Sequence, residues 1–169
     1  MIMKNKRGIS AVVATVLIIL ITVAAVTIVW TAIIPLINSQ LEQGTACLDA
    51  TQGISLANEG YTCKSTGTSE VWIQVKHGSK ELDLRDIQVS FTVDGSSSSV
   101  SLRNLRMVMP GINGEKVYKI SLDKIKETFG DSALTIDKIE EVSIAPIVGS
   151  GKTETTCGTT STIELVNCG

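Results

Sequence analysis

The chain has 169 residues, of which 43% are hydrophobic and 19% are charged, and this length predicts one compact domain in addition to an N-terminal segment. Three basic residues, Lys4, Lys6 and Arg7, precede the first apolar run, so the remainder carries 12 basic against 17 acidic residues, a formal charge of −5. Because an acidic body repels phosphate backbones, we expect no nucleic acid among its partners.

The first predicted element is a long apolar helix. Residues 9–37 include no charged residue, and their polar groups are limited to Ser10, four threonines and the indole nitrogen of Trp30. About 20 apolar residues span the hydrocarbon core of a bilayer, so this segment is long enough to cross one. Apolar residues on every face exclude a helix that lies flat on the membrane surface. We expect Pro35 to kink or loosen the helix and Gly44 to end it.

The basic residues before the helix predict its orientation. Lys4, Lys6 and Arg7 should stay on the cytoplasmic side, which places everything beyond the helix outside the cell. An ordinary secretory signal has a shorter apolar core with a small-residue cleavage site after it, and the exit of this segment lacks such a site. The protein is therefore expected to insert as a single-pass membrane protein with a cytoplasmic N-terminus.

The junction before the helix resembles a known processing signal. Lys6, Arg7 and Gly8, followed by the apolar string that opens at Ile9, are similar to the class III signal peptide of type IV pilins, above all its archaeal form. The resemblance implies that a prepilin or preflagellin peptidase cuts between Gly8 and Ile9. Residues 1–8 would then be a basic leader, 9–43 a helix for the membrane and the filament core, and 44–169 an extracellular head.

The resemblance also implies partners and a location. These are further copies of the chain in a homopolymeric filament, a pilus assembly ATPase, a membrane platform protein and the lipid bilayer, and the assembled filament would lie at the cell surface. Bacterial type IV pilins usually carry a glutamate at the fifth mature position, where this chain has Val13. The start does not match archaellins closely either, which favours an adhesive filament over a swimming one. The alternative interpretation is an uncleaved signal anchor that holds an external domain.

Beyond Gly44 the pattern changes to short alternating segments separated by Gly and Ser, which is typical of β-structure. Residues 70–77 and 87–93 alternate most clearly, and residues 94–99 are expected to form a flexible turn before a returning strand. Further strands are predicted near residues 53–57, 116–122, 141–148 and 161–166, with a short helix over 123–129 capped by Ser121 and stopped by Gly130. The predicted fold is α+β: a long N-terminal hydrophobic helix followed by a mainly antiparallel β-sandwich head of about seven strands.

All four cysteines lie in the predicted external part, where disulfides persist. Cys47, Cys63, Cys157 and Cys168 allow three pairings. We favour Cys47 with Cys63 and Cys157 with Cys168, because each bond would close a short local loop rich in Gly, Thr and Ser. A zinc site is the competing hypothesis, but the chain has no CxxC pair, and its one histidine, His77, is distant in sequence from all four.

No residues form a recognisable catalytic set. We expect His77 to be a solvated turn residue, Asp83 and Asp86 to be solvated, and residues 149–153 to form a loop between strands and not a phosphate-binding loop. The chain is therefore expected to be neither an enzyme nor a holder of a cofactor or metal.

The sequence leaves two functions open. The first is a structural subunit of a filament used in adhesion or surface attachment. The second is a membrane-anchored extracellular binding module, either a minor pilin or a stator-like protein, with Trp72 and Tyr61 as candidates for its binding patch.

Overall fold

The computed structural model of the chain describes residues 11–58, 60–150 and 153–168. The chain divides into two compact units, one up to Glu42 and one from Gln43 onward. A long apolar helical segment comes first in the chain, and mostly antiparallel strands follow it. The α+β fold predicted from the sequence is confirmed.

The N-terminal segment is helical over 43 residues, Ala11–Gly53. It consists of α1 (Ala11–Ile28), one π-helical stretch (Val29–Ile33) and α2 (Ile34–Gly53). The π-helical stretch ends two residues before Pro35, whose ring has no N–H and clashes with the carbonyl group four residues earlier, inside the stretch. The N–H of Ile34 bonds to the carbonyl of Val29, five residues back. The helix therefore loosens beside Pro35 as predicted, by a π-bulge.

The end of the helix differs from the prediction. Gly44 does not stop it, and α2 continues to Gly53, directly before the first strand. The reason is tertiary packing, because Ala50 is fully buried against Val148 and Cys157. Burial of one face stabilises a helix more than the low helix propensity of a single glycine, about 1 kcal/mol, weakens it.

Four strands form the first sheet of the head: β1 (Ile54–Leu56), β2 (Cys63–Ser65), β3 (Glu70–His77) and β6 (Glu115–Ser121). The central strand is β3. The whole length of β6 pairs with one edge of β3, whereas the short strands β1 and β2 pair with the two ends of β3. All three pairings are antiparallel.

Five strands form the second sheet: β4 (Leu84–Val93), β5 (Ser96–Ser101), β7 (Ile139–Ser150), β8 (Thr153–Thr156) and β9 (Ser161–Glu164). The order is β5, β4, β7, and then β8 and β9, which pair with opposite ends of β7. In each sheet, two short strands thus pair with opposite ends of one long strand, which is β3 in the first sheet and β7 in the second. These pairings are also antiparallel.

A single hydrophobic core joins the two sheets. Val71, Ile73 and Val75 of β3 and Val89 and Phe91 of β4 are all fully buried in it. These are the positions at which the sequence alternates between apolar and polar residues, because successive side chains of a strand point to opposite faces. The apolar residues of both strands therefore face the core, as this alternation predicts, but Gln74 on the opposite face of β3 is also buried, at 8% exposed.

Two short strands and one turn were not predicted correctly. The sequence analysis omitted β2 and β8, each of only three or four residues. The predicted flexible turn over residues 94–99 is in fact a two-residue turn at Asp94 and Gly95, and the serines from Ser96 onward belong to β5. Both turn residues have positive φ, +47° and +76°. Such angles match a type I′ turn, whose twist suits a hairpin.

The predicted short helix is present as α3 (Leu122–Phe129). Gly130 ends it in the left-handed conformation, with φ of +68°, as glycine does without strain. Ser121 occupies the N-cap position, but its hydroxyl makes no capping hydrogen bond.

Tyr118 of β6 supports the long connection between β5 and β6. Its side chain is buried, and its hydroxyl donates a hydrogen bond of 2.8 Å to the carbonyl oxygen of Val108. Burial disfavours the charged phenolate and raises the pKa of Tyr118 to about 12, above the ordinary value of 10.0.

This pKa makes stability depend on pH under alkaline conditions. The pKa of Tyr118 is higher in the folded than in the unfolded chain, so its contribution is fully present below pH 10.0 and is lost as the pH rises toward about 12. We expect the free energy of unfolding to fall over this range by about 2–3 kcal/mol from this residue. Absorbance titration of tyrosinate should show one tyrosine with the raised pKa, and Tyr118→Phe should remove that step. A normal pKa for every tyrosine would contradict this account.

Candidate functional site

The helix surface is the most unusual feature of the chain. No residue of α1 is buried, and large apolar side chains such as Val12 and Trp30 are 69% and 65% exposed. The helix is long and apolar enough to cross a membrane. An apolar surface of this extent on every side of a helix requires lipid or other protein chains around it.

Threonines do not make this surface polar. The hydroxyl groups of Thr15 and Thr22 each donate to the carbonyl oxygen three residues earlier, at 2.9 Å, and those of Thr27 and Thr31 to the carbonyl four residues earlier, at 2.8 Å. Each polar hydrogen is thereby satisfied within the helix. The four hydroxyls can enter lipid or a packed helix bundle without an unsatisfied donor.

The predicted processing residues, Lys6, Arg7, Gly8 and Ile9, lie outside the described residues. Cleavage between Gly8 and Ile9 therefore stays a prediction. The same applies to Gly151 and Lys152 in the segment read as a loop between strands. The described residues on either side of these two belong to β7 and β8, which pair with each other as a hairpin.

The four cysteines form two disulfides, but the favoured local pairing is wrong. Cys47 bonds to Cys157 and Cys63 bonds to Cys168, with Cα–Cα distances of 5.2 and 5.1 Å. The bonds join residues that are 110 and 105 positions apart in sequence.

Sheet pairing explains this outcome. The backbone N–H of Cys157 donates to the carbonyl of Pro146 on β7, which places Cys157 beside α2 and Cys47. Near the C-terminus, Asn167 forms a parallel bridge with Lys64, and this pairing places Cys168 beside Cys63. Each disulfide therefore links the first part of the head to its last part.

Two polar residues are more buried than expected. His77 is 5% exposed, and its Nδ1 lies 3.1 Å from the carbonyl oxygen of Pro110, so it is not a solvated turn residue. Asp86 is 3% exposed and accepts hydrogen bonds from the backbone N–H groups of Ile87 and Arg103, whereas Asp83 is exposed and pairs with Arg85. Backbone groups thus satisfy Asp86, as is typical of structural polar residues, whereas the buried Nε2 of His77 has no hydrogen-bond partner among the described residues.

The two aromatic candidates lie in different settings. Trp72 is half-buried, with the ammonium nitrogen of Lys119 at 4.1 Å from its ring centroid, and its indole N–H donates to the Glu70 carboxylate. Tyr61 is 52% exposed. Within the described part of the chain, no group of three or more His, Cys, Asp or Glu side chains could hold a metal ion.

Comparison with known proteins identifies no relative of this chain. No protein-family model, curated protein or solved structure matches this chain. The functional interpretation therefore rests on the exposed apolar helix and on the disulfide-linked head.

The disulfide pairing can be tested directly by digestion after glutamate. Cleavage at Glu42, Glu59, Glu70, Glu154 and Glu164 separates the four cysteines into peptides 43–59, 60–70, 155–164 and 165–169. Without reduction, we expect mass spectrometry to find 43–59 joined to 155–164 and 60–70 joined to 165–169. The reduced sample is the control. Peptide 43–59 joined to 60–70 would contradict the structure.

Proposed function

We propose that this protein is a type IV pilin-like structural subunit of an archaeal cell-surface filament used in adhesion or surface attachment. The observation that carries the proposal is the helix, which has no buried residue in α1 and no charged residue from Ala11 to Leu41. In the nascent protein, lipid covers this surface. In the filament, the helices of neighbouring copies cover it instead.

The junction at Gly8 supports this proposal because it resembles the site at which the peptidase of this system acts. Removal of residues 1–8 eliminates Lys4, Lys6 and Arg7, the charges that hold the N-terminus in the cytoplasm. The mature chain then begins with its apolar helix, which can leave the membrane as it packs into the shaft.

The disulfides of the head suit a filament subunit that must resist mechanical force. Two disulfides with sequence separations of 110 and 105 residues close most of the head into covalent loops. A loop of about 100 residues is expected to gain roughly 4–5 kcal/mol from such a bond in the chain-entropy model. Cys47 lies on α2, so one bond also ties this helix covalently to the strands.

The second candidate function is an anchored extracellular binding module. It is favoured by the fact that α1 needs no protein partner in a bilayer, because lipid covers its apolar side chains and its own carbonyl oxygens accept the threonine hydroxyl hydrogens. The two functions differ in processing and in self-association, and both can be measured.

The first measurement is the N-terminal residue and the intact mass of the protein isolated from cell-surface material. We expect a chain that starts at Ile9 and whose mass rises by four hydrogen atoms on reduction, as two disulfides require. The same protein from cells that lack the peptidase is the control and should keep residues 1–8. A chain that still starts at Met1 in surface filaments would contradict the proposed processing.

A second experiment separates assembly from anchoring. Ala24 and Ala25 are small residues that allow helices to approach closely. The double variant Ala24→Leu, Ala25→Leu remains apolar, so we expect normal membrane insertion but loss of at least nine-tenths of the filaments seen by electron microscopy. The matched control, Val23→Leu with Val26→Leu, adds less volume next to the same sites and should assemble. An unchanged number of filaments in the Ala24→Leu, Ala25→Leu variant would contradict close helix packing at these two residues.

A further inference from the structure

A groove of about 420 Å³ lies on the head between β6, α3 and the connection that follows β5. Three of its lining residues are basic, namely Arg106, Lys119 and Lys124, and one, Glu70, is acidic. The groove therefore has a local excess of two positive charges, although the chain beyond its basic leader carries a net −5. Asn104 and Ser121 add polar groups, and three apolar side chains complete the lining.

The three cations come from separate elements and differ in how they are held. The ammonium group of Lys119 lies over the ring of Trp72, a cation–π attraction that orients it, and its charge also helps to lower the pKa of Glu70. Lys124 pairs at 2.9 Å with Glu127, and both side chains are exposed, so the pair is weak. Among the described residues, the guanidinium group of Arg106 has no ion-pair partner.

The charge of Glu70 is already engaged. Its Oε2 accepts hydrogen bonds of 3.0 Å from the Trp72 indole and from the Thr68 hydroxyl. These two bonds keep the pKa of Glu70 below its usual value. Glu70 is therefore ionised and is held by these donors, and its charge is the one that reduces the three positive charges of the groove to an excess of two.

The backbone at Arg106 also points to a role for its side chain. Its φ is +56°, in the left-handed region that a side chain disfavours and that glycine adopts freely. A residue kept in this conformation at the expense of stability is a candidate for function. Glycine would fit this backbone without strain but would lack the arginine side chain, which lines the groove.

We propose that this groove binds an acidic sugar, with a carboxylate or sulfate group held by Arg106, Lys119 and Lys124. Arginine forms paired hydrogen bonds to such groups, and two lysines add charge. The Ser121 hydroxyl and the Asn104 amide suit sugar hydroxyls, and the apolar lining suits the C–H face of a sugar ring. The volume is in the range of small-molecule sites. A long, densely charged polyanion fits less well, because the surrounding body repels it.

This proposal concerns the head and does not depend on filament assembly. The test uses the full-length protein in detergent micelles and measures binding of glucuronate, glucose 6-sulfate, glucose and inorganic sulfate by calorimetry or nuclear magnetic resonance. We expect at least one acidic sugar to bind about tenfold more tightly than glucose, as hydrogen bonds to a charged group predict. It should also bind more tightly than inorganic sulfate. Equal binding of sulfate would indicate an adventitious ion only and would overturn the proposal, as would no binding of either acidic sugar.

Variants of Arg106 separate binding from folding. We expect Arg106→Gly to weaken binding of the acidic sugar about tenfold while the melting temperature stays the same or rises, because glycine relieves the left-handed strain. Arg106→Lys keeps the positive charge, so its affinity for the acidic sugar should fall less than that of Arg106→Gly. Lys138→Gln is the matched control, because it removes one charge outside the groove.

Two results would overturn the assignment. One is unchanged binding by Arg106→Gly, and the other is an equal loss in Lys138→Gln, which would indicate attraction by net charge alone. Lys124→Gln provides a second, independent variant in the groove, since its exposed position on α3 makes a folding defect unexpected.

Discussion

The apolar surface of the N-terminal helix is the constraint on which the account depends. A helix with apolar residues on every side, none of them buried in α1, is stable only when lipid or other chains surround it. The threonines meet this constraint by bonding to the helix's own carbonyls, and the π-bulge next to Pro35 rearranges the backbone hydrogen bonds there. Under the proposed function, this surface meets two environments in turn, the bilayer and the interior of a filament.

The proposed location of the head outside the cell sets a different requirement, which is to stay folded there. Its two sheets share one core, and the disulfides join its first and last parts. The bond between Cys47 and Cys157 has the further effect that α2 cannot detach from the strands within this unit. Covalent closure of long loops is most useful in an oxidising compartment, where no chaperone or reductant maintains the protein.

Local patterns predicted the parts of the fold that depend on local physics. The alternation in β3 and β4, the apolar helix and the stop at Gly130 could all be read from the sequence. The predicted hairpin turn was too long because the four serines after Gly95 were assigned to it. The Asp94-Gly95 pair alone favours a two-residue type I′ turn. The helix end at Gly53, the disulfide partners and the burial of His77 depend on contacts between residues far apart in sequence. For the same reason, Arg106, Lys119 and Lys124 could not be placed in one groove before the topology was known.

The most direct test of the central claim is a helical reconstruction by electron cryo-microscopy of filaments purified from the cell surface. The account predicts that density for residues 11–37 forms the shaft, with each helix surrounded by helices of neighbouring copies, and that the disulfide-linked β-head lies on the outside. If the helix is instead absent from the filament and remains in the membrane fraction with its head, the chain is an anchored module. Its helix then has only one environment, the lipid bilayer.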